Sequence, residues 1–170
     1  MLTTALILTP FVGAVLSLLA KGKNSKIVAL LVTLVQLGIT VSLLTSFVPE
    51  NGFQFEQMCS WIPSLGITYH VGIDGISLIM VLLANIAAPL IILSQFNRDI
   101  ERAHIYNALI LIMQAAMVGV FVSLDAFLYY IFWELALIPI FFIMLGWGGL
   151  NRQVVTLKFF IYTLAGSLFM

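Results

Sequence analysis

Apolar positions along this chain run in long blocks rather than marking one face of a helix or strand. Six blocks stand out, at about 2–20, 27–48, 76–96, 105–123, 126–147 and 155–170. A helix rising about 1.5 Å per residue needs roughly 20 such residues to cross about 30 Å of hydrocarbon. The breaks are polar: Lys21-Gly22-Lys23-Asn24, Pro49-Glu50-Asn51-Gly52, the stretch from Asn97 to His104, Ser123-Leu124-Asp125, and the stretch from Gly146 to Arg152. Ser123 or Asp125 is a candidate cap for the fifth helix. The first block has no basic residue ahead of it and Lys21, Lys23 and Lys26 behind it, so it is a retained helix rather than a signal peptide. The sixth gives only about 24 Å, and the chain stops at Met170 inside it, as a truncated gene product or a fragment does.

Between the second and third blocks the pattern changes. From about 49 to 75 it alternates, with Phe53 and Phe55, then Ile67, Tyr69, Val71 and Ile73 against Thr68, His70 and Gly72. Period-two alternation predicts strands with one covered face, and Pro63-Ser64-Leu65-Gly66 predicts a turn. A lone hairpin is marginal in water, so its apolar face needs helix ends or a neighbouring subunit. The expected fold is an all-α polytopic membrane protein of about six transmembrane helices, with an extracytoplasmic β-hairpin between the second and third.

Composition supports lipid as the solvent. The 170 residues are 62% hydrophobic and 8% charged, against about 45–50% and 25% in soluble domains. A formal net charge of zero argues against nucleic acid as a partner. The single cysteine, Cys59, forms no internal disulfide or metal cage by itself and reads as small apolar filler. No metal-spaced Cys or His cluster and no phosphate-binding glycine loop occurs, so no cofactor, metal or small-molecule substrate is expected on this chain. Lys21, Lys23 and Lys26, then Arg98 and Arg102, then Arg152 and Lys158 all fall on one side under these spans. The positive-inside rule makes that side cytoplasmic or matrix and the amino terminus extracytoplasmic.

One acid stands inside a span. Glu134 lies near the middle of the fifth block, where an ionised side chain costs about 3 kcal/mol on insertion scales and more in simulations. Burial disfavours its charged form, and a carboxyl near that balance can take up and release a proton. The alternative is a protonated glutamate bridging two helices. Pro139 removes the amide that bonds the Leu135 carbonyl, leaving an acceptor beside Glu134 that water can bridge, or else a plain kink. Tyr130 and Ile138 share the Glu134 face at four-residue spacing, which makes the Tyr130 hydroxyl a candidate partner. Lys158, below Tyr162 in the sixth span, is a candidate charge partner or a lysine snorkelling to water. Gln36, Asn85 and Gln114 read as interhelical bonds, with Gln114 also a candidate for a water path. His70 and His104 sit at opposite edges, at solvated positions.

Several motifs resemble a known family. Trp61-Ile62-Pro63-Ser64, with Gly66-Ile67 and then Val71-Gly72-Ile73-Asp74-Gly75-Ile76-Ser77-Leu78, resembles the loop and third helix of subunit M (the ND4 type) of respiratory complex I, NADH:quinone oxidoreductase. Phe132-Trp133-Glu134-Leu135 through Leu137-Ile138-Pro139 resembles its fifth helix, and the stretch from Lys158 to Ser167 its sixth. The resemblance runs along the whole chain and marks it as the amino-terminal portion of such a subunit. It implies fourteen helices with two inverted five-helix repeats, and proton transfer by a fifth-helix glutamate, matched by Glu134, with lysines further on. NADH, FMN, iron–sulfur clusters and quinone are then handled by other subunits. The implied partners are neighbouring membrane-arm subunits and the lipid of an energy-transducing inner membrane, a bacterial plasma membrane rather than a mitochondrial one. The expected function is proton translocation driven by quinone reduction elsewhere in the complex. The rivals are a subunit of a Mrp-type cation/proton antiporter or of a membrane-bound hydrogenase, and a passive membrane scaffold.

Overall fold

In a computed structural model, which describes residues 2–20 and 22–169, each long apolar block is a helix. Met1, Lys21 and Met170, and the side chains of Lys23, Asn51 and Leu65, fall outside the described part. The helices are α1 (Leu2–Leu19), α2 (Lys23–Ser46), α3 (Gly75–Ser94), α4 (Ala103–Val122), α5 (Ala126–Trp147) and α6 (Arg152–Ser167). Five are long and apolar enough to cross a membrane, while α6 has 16 residues. The chain is a multi-pass integral membrane protein. α2 starts four residues ahead of its apolar block because Ser25 and Lys26 are buried and find partners elsewhere in the bundle, Ser25 on α1 and α4 and Lys26 just past α3.

α4 is the hub. It packs against α1, α2, α3 and α5, and α6 touches the bundle through α5. Two apolar clusters hold it. One joins Leu6, Leu43, Val71, Leu78, Val118 and Phe132, and the other joins Ala14, Ala29, Ile92, Ala108 and Leu111. Small residues allow the close approaches. A Cβ on Gly119 would meet the Phe132 ring of α5, and one on Gly13 would meet Val32 of α2.

Strands β1 (Gln54–Ile62) and β2 (Ile67–Ile73) form a two-stranded antiparallel sheet. The turn over Pro63–Leu65 closes on Gly66, whose φ of 68° suits a residue without a side chain. Val71, Gly72 and Ile73 are buried. The sheet is fastened to helix ends. Thr3 Oγ1 donates to the Phe55 carbonyl at 2.6 Å, and the Leu124 amide donates to the His70 carbonyl at 2.9 Å. Cys59 is exposed on β1, so it is not interior filler. It stands opposite Tyr69 of β2, in a stretch of β1 from Met58 to Trp61 that is exposed throughout. His70 Nε2 lies 3.0 Å from Glu56 Oε2.

At the opposite end Lys26, expected in a loop, is 8% exposed. Its ammonium donates to the carbonyls of Gln95 at 2.8 Å and Arg98 at 2.7 Å, just past α3. A cation suits the negative end of a helix dipole. Arg98, Arg102 and Arg152 gather at this end too, because α3–α4 and α5–α6 both turn there.

Two aspartates cap helices at the sheet end. Asp74 accepts from the Ser77 amide at 2.7 Å in a reciprocal capping box. Asp125 accepts from the amides of Phe127 and Leu128 and from the amide and hydroxyl of Thr68 on β2. Of the two cap candidates it caps α5, and Ser123 closes α4 instead. The Ser77 amide holds the Asp74 carboxyl below its ordinary 3.8, and the Leu128 amide, then Thr68, does so for Asp125. Lowered folded values mean that the stabilisation is complete above 3.8 and is lost as pH falls through the lower folded range. Thermal melts of the solubilised protein should therefore hold level down to about pH 4 and then drop. The drop should shrink in Asp74→Ala and Asp125→Ala.

Candidate functional site

Glu134 sits on the third turn of α5 and is half-buried. It turns toward α6. Ser167 Oγ, buried at the end of α6, lies 2.5 Å from Glu134 Oε1 and 2.9 Å from the Leu164 carbonyl. Tyr130, one turn before Glu134, interacts through its hydroxyl with both Glu134 and Ser167. Helical spacing fixes the Tyr130–Glu134 pair. α6 is brought to it by Phe141 stacking edge-on against Phe160 at 5.1 Å. Pro139 lies inside a continuous α5 and is buried.

The structure does not bring the other two candidates to this cluster. Lys158 is exposed on α6, away from the side that carries Thr156 and Ser167. It lies nine residues before Ser167, so about 14 Å along the axis and half a turn round. Gln114 lies eight residues before Val122 and Glu134 eight after Ala126, so the two share a depth. Yet Gln114 faces α3. Its Nε2 donates to Asn85 Oδ1 at 2.8 Å, Asn85 Nδ2 donates to Thr40 Oγ1 at 2.7 Å, and Thr40 Oγ1 donates to the Gln36 carbonyl at 2.9 Å. Gln36 Nε2 donates to the Leu6 carbonyl at 2.6 Å. One buried polar ladder thus ties α1, α2, α3 and α4. Gln36 Oε1 and Gln114 Oε1 lack a hydrogen-bond partner among the described residues. His104 is half-buried at the cationic end, and Ser17 Oγ approaches its carbonyl at 3.5 Å.

Asn85→Leu should strip partners from both Thr40 and Gln114 and lower stability by about 1–2 kcal/mol. A double-mutant cycle with Gln114→Leu, followed by thermal unfolding, should show coupling between the two.

Ser167 is the residue that sequence reasoning passed over. Thr156, Thr163 and Ser167 recur at seven- and four-residue spacing, a polar stripe down one side of α6. That stripe is the signal by which it could have been found. Among the described residues no group of three or more His, Cys, Asp or Glu is placed to hold a metal.

No family model matches the chain. Curated relatives do. It is 44% identical over 167 residues to the F(420)H(2) dehydrogenase subunit M of Methanosarcina mazei, covering 97% of this chain and 34% of that one. It is 40% identical over 165 residues to the NADH-quinone oxidoreductase subunit M of Rhodobacter capsulatus, covering 93% and 32%. Among solved structures, a chain of respiratory complex I from Thermus thermophilus superposes with a TM-score of 0.84 at 25% identity, over 99% of this chain and 34% of that one. A chain of the Mrp complex from Dietzia sp. DQ12-45-1b shares the fold, with a TM-score of 0.83 at 16% identity over 99% and 18%. The chain therefore spans about a third of the length of the curated relatives it matches.

Proposed function

We propose that this chain, which belongs to the NADH-quinone oxidoreductase subunit M/chain 4 family, supplies one proton-transfer step of a redox-driven pump. One observation carries this. A carboxyl lies within a membrane-spanning helix, half-buried, within hydrogen-bond reach of a buried hydroxyl and beside a phenol. Such a group can hold a proton on one side of the barrier and release it on the other. Moving one charge against 100 mV takes about 2.3 kcal/mol, which a change in a neighbouring charge can supply to a carboxyl in low dielectric.

The redox chemistry, with NADH, FMN, iron–sulfur clusters and quinone, belongs to other subunits of the assembly. The partners of this chain are neighbouring membrane subunits. Its cationic end faces the cytoplasm of a bacterial cell, the side that the positive-inside rule assigns to arginine and lysine. Lys158 in this setting is a snorkelling interfacial residue.

A second reading, a subunit of a cation/proton antiporter, is favoured by the near-equal likeness to the Mrp chain. Genes for peripheral NADH and iron–sulfur subunits beside this one support the oxidoreductase. A purely membrane operon supports the antiporter. The direct test is proton movement coupled to quinone reduction in vesicles bearing Glu134→Gln. Transport at the normal rate in an intact assembly would remove Glu134 from the path and leave a membrane scaffold.

A further inference from the structure

The hydrogen bonds at Ser167 do not add up for a single arrangement of hydrogens. Its hydroxyl carries one hydrogen. Three acceptors lie within reach: Glu134 Oε1 at 2.5 Å, the Leu164 carbonyl at 2.9 Å and the Tyr130 hydroxyl oxygen. Two patterns keep the Glu134–Ser167 bond made, one for each state of the carboxyl. With Glu134 ionised, the serine hydrogen points at the carboxylate, which can only accept. With Glu134 protonated, its O–H donates to Ser167 Oγ, and the serine hydrogen turns to Leu164. The Leu164 carbonyl also receives the Leu168 amide at 3.1 Å, so turning the hydroxyl away orphans nothing.

We propose that Ser167 is a positioning residue whose hydroxyl turns with the protonation of Glu134, bonded to the carboxylate in one state and to the Leu164 carbonyl in the other. The role rests on Glu134 carrying a proton. Ser167 itself gains and loses none. The carboxyl O–H bond forms with a proton delivered by water and breaks by returning one to water, while the serine O–H only rotates. Both states of the carboxyl then keep a hydrogen-bonded partner, and neither leaves a polar group bare. The hydroxyl also carries the charge state of α5 into the last turn of α6. Ionisable groups on elements packed against α5 are His104 and Tyr106 on α4, Tyr69 and His70 on β2, and Arg152, Lys158 and Tyr162 on α6. No hydrogen bond joins any of them to Glu134 among the described residues.

The experiment is infrared difference spectroscopy of the whole oxidoreductase complex during turnover, on the carboxyl C=O band that Glu134→Gln abolishes. Ser167→Ala should move that band to higher wavenumber, because the acid O–H has lost its acceptor, and should slow coupled proton transport by about tenfold. Ser167→Thr keeps a hydroxyl and should restore both. Ser167→Cys, with a weak donor and acceptor of similar size, should fall between. A Glu134 band that Ser167→Ala leaves in place overturns the switch while the proton-carrying role of Glu134 stands. If no band sensitive to Glu134→Gln changes during turnover, that role fails and the switch fails with it.

Discussion

Glu134→Gln is expected to cut proton movement by at least about a hundredfold while the helices stay in place. The amide has nearly the same shape and still accepts from Ser167 Oγ, so packing against α6 and Tyr130 is kept. What it loses is the ability to take a proton and let it go. No other acid lies inside any of the six described α-helices to stand in for it. Glu134→Asp should be milder. It can still titrate, but it withdraws by one methylene from Ser167, so its transport should fall between wild type and Gln. Proton uptake by energised vesicles checks this, with the assembled complex quantified on the same membranes. The outcome fatal to the idea is Gln transporting as well as Glu.

Gly119→Val should have the largest effect on stability. At this point the α4 backbone lies against the Phe132 ring of α5, and an added Cβ overlaps the ring atoms. α4 has little freedom to retreat, because α1, α2 and α3 pack against its other sides. Overpacking of this kind costs about 1–3 kcal/mol or more. Thermal unfolding should show it as a loss of at least about 2 kcal/mol, with less assembled complex in the membrane. Transport should fall as well, since Glu134 follows Phe132 by two residues on the displaced helix. Pairing the change with Phe132→Ala should recover much of the stability. Gly166→Ala, on open space in α6, should be neutral or slightly stabilising. A Gly119→Val protein as stable as wild type would mean that α4 and α5 are not held at this distance.

The helices were legible because in lipid the apolar run itself is the signal and its length is set by the bilayer. The start of α2 was not, because Ser25 and Lys26 are polar residues with partners 82 and 69 residues further along. The start of α6 was not, because Arg152 is exposed and only reaches back to the Gly146 carbonyl. Glu134 and Tyr130 were legible as a pair, since four-residue spacing puts them on one face whatever the helix packs against. Ser167 was not, because it meets Glu134 only through the packing of α5 on α6, 33 residues apart. Gln36, Asn85 and Gln114 could each be picked out as polar residues in oil. Their union into one ladder through Thr40 is a fact about which sides of four helices face inward. Lys158 shows the converse: its chemistry invited a role that helical phase withholds.

Lys26 also bears on how the chain enters the membrane. Until α3 is in place its ammonium has no carbonyls to meet, and an unpartnered cation stays in water. The two oxygens that receive it lie 69 and 72 residues further along. The first turn of α2 therefore settles into the bundle only after the ribosome has passed Arg98. α1 and α2 hold contacts of their own at Gly13 against Val32 and Ser17 against Ser25, and the cationic end of the pair is completed by the carbonyls that follow α3.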